Sequence, residues 1–271
     1  MMISNKKWIG LFSACAVLGI IARFADYKIA TLLYRQGNIV GSVCEHIIPM
    51  LWFYLCGFAC AILLFHRNTH TTRAKNQILN VVYATLSVAA VFAGTYFPFR
   101  NTVDKPYLVI VITTIVAAAC LIYASYSWFK RDFQKRIISK AAGVLLASGA
   151  CTAAVCSLNH FLPTRKCYYD ILQAGQYDYL ADVNVTSVKF FCFAAASGAL
   201  LLWLNYFAQT VPNIRHGAEK IFVATVAVDV VIAVGLVSTG HFYLSEVIYG
   251  MLVGYFSLFV FSKISERRSK K

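Results

Sequence analysis

Three side chains that suit anion binding cluster where an apolar segment gives way to a long polar one: His160, Arg165 and Lys166. Guanidinium and ammonium groups donate charge-assisted hydrogen bonds to phosphate, so this cluster predicts a site for an anionic headgroup. Ser187 and Lys189 begin the next apolar segment. A capping hydroxyl, unbonded backbone N–H groups and a nearby cation there form an anion-binding arrangement. The alternatives are cations that snorkel to lipid phosphates and an ordinary capped helix start.

His241 and Glu246 lie at the start of the last apolar segment, STGHFYLSEVIYG. A histidine and a carboxylate near a helix start suit general acid–base catalysis. Positions five residues apart do not share a helix face, which favours the alternative that both residues stabilise the helix entrance.

Asp229 lies in the middle of the apolar segment IFVATVAVDVVIAVGLVS. An ionisable side chain at that depth of a membrane is costly and is a functional hypothesis by default, here a polar path for transport. The alternative is a protonated Asp229 that hydrogen-bonds across a helix interface.

The composition excludes a soluble globular protein. Hydrophobic residues make up 59% of the 271 residues and charged residues only 13%, whereas about a quarter of a soluble domain is charged. The net charge of +14 therefore indicates membrane topology rather than a nucleic-acid partner. The few acids argue against a metal cage, and we predict no metal or cofactor. Nine cysteines without a CxxC pair indicate neither a zinc site nor a disulfide framework. A disulfide between Cys44 and Cys167 is the one pairing that stays conceivable.

Runs of about twenty apolar residues are long enough to cross a hydrocarbon core of about 30 Å as helices. The sequence predicts eight of them: 8–24, 46–65, 77–97, 106–129, 137–157, 188–208, 219–238 and 243–262. We therefore expect an all-α, polytopic transmembrane bundle that forms one membrane domain over 1–271. A short turn near Ser238-Thr239-Gly240 joins the last two helices into a hairpin, and Ile29 to Tyr34 suggests a separate interfacial helix.

The charge distribution sets the predicted orientation. With the N-terminus in the cytoplasm, most of the 25 basic residues fall in loops on that side and in the basic tail 263–271. The positive-inside rule then favours an N-in, C-in arrangement.

Two segments carry a family likeness. FYLSEVIYG is similar to the pattern H-Y-L-S-D-V-x-x-G, with Gly250 in register, and DYKIATLLYRQGNIVGSVCEHIIP is similar to a stretch between two helices. Both patterns belong to bacterial type 2 phosphatidic acid phosphatases, which share a fold with vanadium haloperoxidases. The resemblance implies a phosphatase-like core at 137–262 and N-terminal helices at 1–136 that include an extra helix pair. It also implies a bacterial inner (plasma) membrane location and a reaction without metal.

The catalytic positions of that family are changed here. The first-motif lysine falls on His160 and its arginine on Cys167, although Arg165 matches a second arginine. Of the second motif P-S-G-H only Ser187 remains, and the histidine has become Lys189. The third-motif aspartate falls on Glu246 and the nucleophilic histidine on Phe242. Phenylalanine cannot form the phosphohistidine that the family's reaction needs.

Three hypotheses follow. The leading one is a non-catalytic or strongly divergent lipid phosphatase-like protein whose outer-face pocket binds a lipid phosphate through His160, Arg165, Lys166, Ser187 and Lys189. The second is an active phosphatase of a lipid phosphate or polyprenyl diphosphate, with His241 as a displaced nucleophile assisted by Glu246. The third is a transporter or membrane interaction subunit that uses Asp229. Membrane lipids are the expected partners in each case.

Overall fold

The computed structural model describes residues 5–65, 73–99, 106–130, 135–161, 167–173, 191–210 and 217–270. Within these ranges the chain forms ten α-helices and no strand, which confirms the all-α prediction. The helices are α1 (Asn5–Leu33), α2 (Ile39–Leu64), α3 (Arg73–Tyr96), α4 (Tyr107–Lys130), α5 (Lys135–Ser157), α6 (Tyr168–Gln173), α7 (Phe193–Ala199), α8 (Trp203–Thr210), α9 (Ala218–Ser238) and α10 (Leu244–Lys270).

Seven of the described helices are long and apolar enough to cross a membrane, and they match seven of the eight predicted spans. The chain is therefore a multi-pass integral membrane protein. The remaining apolar stretch is the shorter helix Phe193–Ala208, in which α7 and α8 are joined by a 3-10 segment at Leu200–Leu202. Its first half is almost completely buried, so protein rather than lipid surrounds it.

The prediction of a separate interfacial helix at residues 29–34 is wrong. Helix α1 continues without a break to Leu33, because its last turns pack against other helices: Asp26 and Ala30 are both buried. The turn predicted near Gly240 is present, a second turn follows α1 at Gly37, and Gly37 and Gly240 take positive φ values of 70° and 77°. Residues that carry a side chain rarely adopt a backbone conformation with positive φ, which explains why glycine occupies both turns.

Contacts between the helix ends define the topology. The start of α1 meets the start of α9 through an ion pair of 2.8 Å between Lys7 Nζ and Glu219 Oε1. At the opposite end, the backbone N–H of Arg35 donates to Ser238 O at 3.0 Å. We call the end with the α9–α10 turn, residues 239–243, the hairpin end, and the end with Asn5 and Lys270 the terminal end. Both described chain ends thus lie on one side, and the N-in orientation stays a prediction.

Helix α10 lies at the centre of the bundle and packs against α1, α5 and α7, whereas α3 and α4 pack against each other and α2. A glycine seam, Gly250 and Gly254 on α10, brings α10 against α7. A Cβ atom on Gly254 would lie 2.5 Å from Ala196 O and 2.8 Å from Ala199 Cβ. The seam lets the two backbones approach as small residues do in membrane helix pairs.

Candidate functional site

A cavity of about 480 Å³ opens at the hairpin end. Four elements line it: the end of α1 with the following turn, the first two turns of α2, helix α6, and the α9–α10 turn. Its polar lining consists mainly of Arg35, Asn38, Ser42, Glu45, His46, Tyr169, Thr239 and His241. The size is that of a small-molecule or headgroup site rather than of a packing defect.

The start of α2 sets the cavity wall. Asn38 caps the helix by accepting a hydrogen bond of 3.0 Å from Val40 N, and its amide Nδ2 donates to Ser238 Oγ at 2.6 Å. The cap therefore joins the α1–α2 turn to the end of α9. Asn38, Ser42 and Glu45 follow a spacing of four and three residues, which places their side chains along one helix face.

Glu45 and His241 form a close polar pair in the cavity lining. His241 Nδ1 and Glu45 Oε2 are 2.9 Å apart; the Glu45 side chain is 8% exposed and that of His241 43%. With Glu45 ionised, Nδ1 is the donor in this pair, because a carboxylate only accepts. The backbone N–H of His241 donates to Thr239 Oγ1 at 3.2 Å. The Tyr169 ring packs edge-on against the His241 ring, with 5.2 Å between the ring centroids. The imidazole is thus oriented from three sides.

Glu246 does not lie beside His241 in the cavity, as a catalytic partner of His241 would. It lies in the first turn of α10, and its Oε2 accepts a hydrogen bond of 3.1 Å from the backbone N–H of Tyr243. It does not line the cavity. This geometry is that of a side chain that caps the helix start. The carboxylate bonded to His241 Nδ1 comes instead from α2, 196 residues earlier in the chain.

A second buried carboxylate that sequence reasoning missed lies near this turn. Asp26 on α1 accepts hydrogen bonds from Ser245 N at 2.9 Å and from Ser245 Oγ at 2.5 Å. Asp26, Glu45 and Glu246 are all nearly inaccessible to solvent and come from three different helices. Their shared signal in the sequence is an acid inside or beside an apolar run.

Of the five predicted phosphate-binding residues, only the backbone of His160 is described. It ends the 3-10 segment Leu158–His160, while Arg165, Lys166, Ser187 and Lys189 lie outside the described residues. Their convergence stays a prediction. The flanking residues do meet, through the Asn159 side chain and the Phe191 backbone: Asn159 Nδ2 donates to Phe191 O at 2.6 Å, and Phe191 N donates to Asn159 Oδ1 at 3.2 Å.

The other predicted positions lie elsewhere. Phe242, at the nucleophile position of the resemblance, packs against the main hydrophobic cluster. Asp229 is buried in the middle of the bundle and bonds to Tyr255. Cys44 is a buried thiol that forms no disulfide, so the Cys44–Cys167 bridge is not formed. Among the described residues, no group of three or more His, Cys, Asp or Glu side chains is placed to hold a metal ion.

No family model, no curated protein and no solved structure matches this chain. The likeness to type 2 phosphatidic acid phosphatases therefore stays a prediction from the residues, and the site is interpreted from its own geometry.

Proposed function

We propose that this multi-pass membrane protein binds the phosphorylated headgroup of a membrane lipid in the hairpin-end cavity. The observation that carries the proposal is the composition of the cavity wall. Arg35, His46 and His241 bring three nitrogen-bearing side chains to one end of the bundle. Such side chains donate to phosphate oxygens, and the guanidinium does so with full charge.

An apolar stripe on the same wall favours a lipid over a soluble phosphate. Ile39 and Val43, one turn apart on α2, line the cavity, and they are 77% and 46% exposed. In a bilayer such exposed side chains face hydrocarbon or its boundary. A ligand with a charged head and an apolar chain satisfies both halves of this wall, whereas inorganic phosphate satisfies only one.

Binding of a fluorescent phosphatidic acid to the protein in phosphatidylcholine nanodiscs tests the proposal. The double variant Arg35→Ala with His46→Ala removes two of the donors, and we expect its affinity to fall at least about tenfold, since hydrogen bonds to charged groups contribute about 1.5–3 kcal/mol each. Lys7→Ala, which removes a cation at the terminal end, is the matched control and should bind as the parent does. Equal affinity of the double variant and the control would refute the proposed pocket.

The cations predicted from the sequence form a second arm of the experiment. If Arg165 and Lys189 also contact the headgroup, the double variant Arg165→Ala with Lys189→Ala weakens phosphatidic acid binding while leaving the fold intact. Unchanged binding would remove these two residues from the site and leave the Arg35 and His46 result standing by itself.

A second candidate function is hydrolysis of the lipid phosphate ester, and the Glu45–His241 pair favours it. An imidazole held through Nδ1 by a carboxylate presents Nε2 as a nucleophile or base. As a nucleophile, Nε2 would bond to phosphorus while the lipid oxygen leaves and takes a proton from a water molecule. A second water would then cleave the P–N bond, which releases phosphate and restores the imidazole. Glu45 here takes the part that was assigned to Glu246 from the sequence.

Phosphate release from phosphatidic acid or a polyprenyl diphosphate separates the two candidates. An active enzyme loses turnover in His241→Ala and loses about 10²–10⁴-fold in Glu45→Gln, the usual contribution of a positioned acid–base group. Glu246→Gln should then keep more of the activity than Glu45→Gln. Binding without phosphate release above a detergent blank supports the non-catalytic form, and release that persists in His241→Ala would exclude this dyad.

A further inference from the structure

The middle of the bundle contains a buried polar pair far from the hairpin-end cavity. Asp229 on α9 and Tyr255 on α10 are each about 2% exposed, and the Tyr255 hydroxyl donates to Asp229 Oδ2 at 2.5 Å. The second carboxylate oxygen, Oδ1, is fully buried and has no hydrogen-bond partner within the described part of the chain. Half of this carboxyl group is therefore unsatisfied.

The described surroundings of Asp229 contain no positive charge that acts on it. Within the described residues, the titratable groups that interact with Asp229 are Tyr255 on α10 and Cys15 on α1, and neither is a cation. Gly198 and Ile232 border the carboxyl group on its other side. An ionised carboxylate without a counter-charge is very costly in an apolar interior, and in practice such a group becomes neutral.

We propose that Asp229 is a proton-binding site, with its carboxyl group protonated in the structure described. The space around Oδ1 favours a proton over a metal ion. A single carbon atom added to Gly198 would lie 3.4 Å from Oδ1 but only 2.8 Å from Ile232 Cδ1. Cations such as Ca²⁺ and Mg²⁺ need about six oxygen ligands, whereas a proton needs no room and no ligand shell.

The position of the pair suggests what proton release would require. Gly198 lies two residues before Leu200, where the 3-10 segment Leu200–Leu202 begins and interrupts the helix from α7 to α8. Short 3-10 stretches inside helices often mark hinges. An ionised Oδ1 would need donors from water or from displaced backbone, so deprotonation of Asp229 is expected to accompany a movement of α7. This coupling fits a proton-linked transport step and does not depend on the proposed lipid site.

Infrared difference spectroscopy of the purified protein in nanodiscs tests the site directly. At neutral pH we expect the carbonyl stretching band of a protonated carboxylic acid that disappears in Asp229→Asn, an isosteric replacement. Glu219→Gln at the exposed start of α9 is the matched control and should keep the band. A spectrum in which Asp229→Asn removes no such band overturns the proposal.

Tyr255→Phe provides a second test that does not need the Asp229 variant to fold. Loss of the Tyr255 hydroxyl removes the hydrogen bond to Oδ2, so the carboxylic acid band should move to higher frequency while remaining present. A band whose frequency is the same in the parent and in Tyr255→Phe would show that the protonated acid lies elsewhere, and would overturn the assignment to Asp229.

Discussion

The glycine seam between α7 and α10 makes a sharp prediction about packing. Replacing Gly254 with alanine places Cβ 2.5 Å from Ala196 O and 2.8 Å from Ala199 Cβ. The closest C–H···O contacts in proteins have carbon–oxygen distances of about 3.3 Å. The contacting atoms are a backbone oxygen and an alanine Cβ of α7, and neither can rotate out of the way. The two helices must therefore separate by roughly 0.8 Å at this point.

The cost can be isolated with a matched glycine. Outside the backbone of its own helix, no atom of the described residues lies within 4 Å of the position that a Cβ on Gly143 of α5 would take. Gly143→Ala and Gly254→Ala gain the same helix propensity, so their difference in stability reports the clash alone. Overpacking of this kind costs about 1–3 kcal/mol, and we expect Gly254→Ala to be less stable than Gly143→Ala by that amount.

Thermal unfolding in a mild detergent measures the difference. For a chain of this size about 1 kcal/mol shifts Tm by roughly 2–4 °C, so Gly254→Ala should unfold several degrees below Gly143→Ala. Equal Tm values would refute the close approach of α7 and α10. The double variant should show additive effects, because the two positions belong to separate packing sites.

Further predictions concern buried polar groups and are checked by the same unfolding assay. Trp203 Nε1 donates to Ala141 O at 2.8 Å, whereas the buried Trp52 Nε1 has no partner among the described residues. Both Trp→Phe variants remove similar volume, so we expect Trp203→Phe to be less stable than Trp52→Phe by about 1–3 kcal/mol; the reverse order would contradict the hydrogen bond. Asp26→Ala leaves Ser245 N and Oγ without their acceptor and should cost about 2–5 kcal/mol, against a smaller loss for Ser245→Ala.

Hydropathy predicted most of the fold because membrane spans are long and uniform. The span predicted at 188–208 begins later, at Phe193 within the described part, since a helix surrounded by protein does not need the full width of the hydrocarbon core. The sequence predicts an interfacial helix at the end of α1 because the burial of this end depends on tertiary contacts of Asp26 and Ala30, which no local pattern encodes.

The site was harder to predict than the fold. The turn with His241 was identified from its residue types, but its partner Glu45 comes from a helix 196 residues earlier, and sequence spacing carries no information about such a contact. Tyr255, the partner of Asp229, is one of several aromatic residues in an apolar run. Asp229 itself is easy to single out in the sequence, since an acid in the middle of an apolar segment is conspicuous.

The bond between Asp26 and Ser245 has a consequence for how the protein is made. The two residues are separated by 219 positions, so at roughly 5–20 residues per second the ribosome needs about 10–45 s to supply the partner of Asp26. During that interval Asp26 lacks the two hydrogen bonds that Ser245 donates to it. Helix α1 therefore gains these two buried contacts only after α10 has been made, and a chain truncated before α10 lacks them.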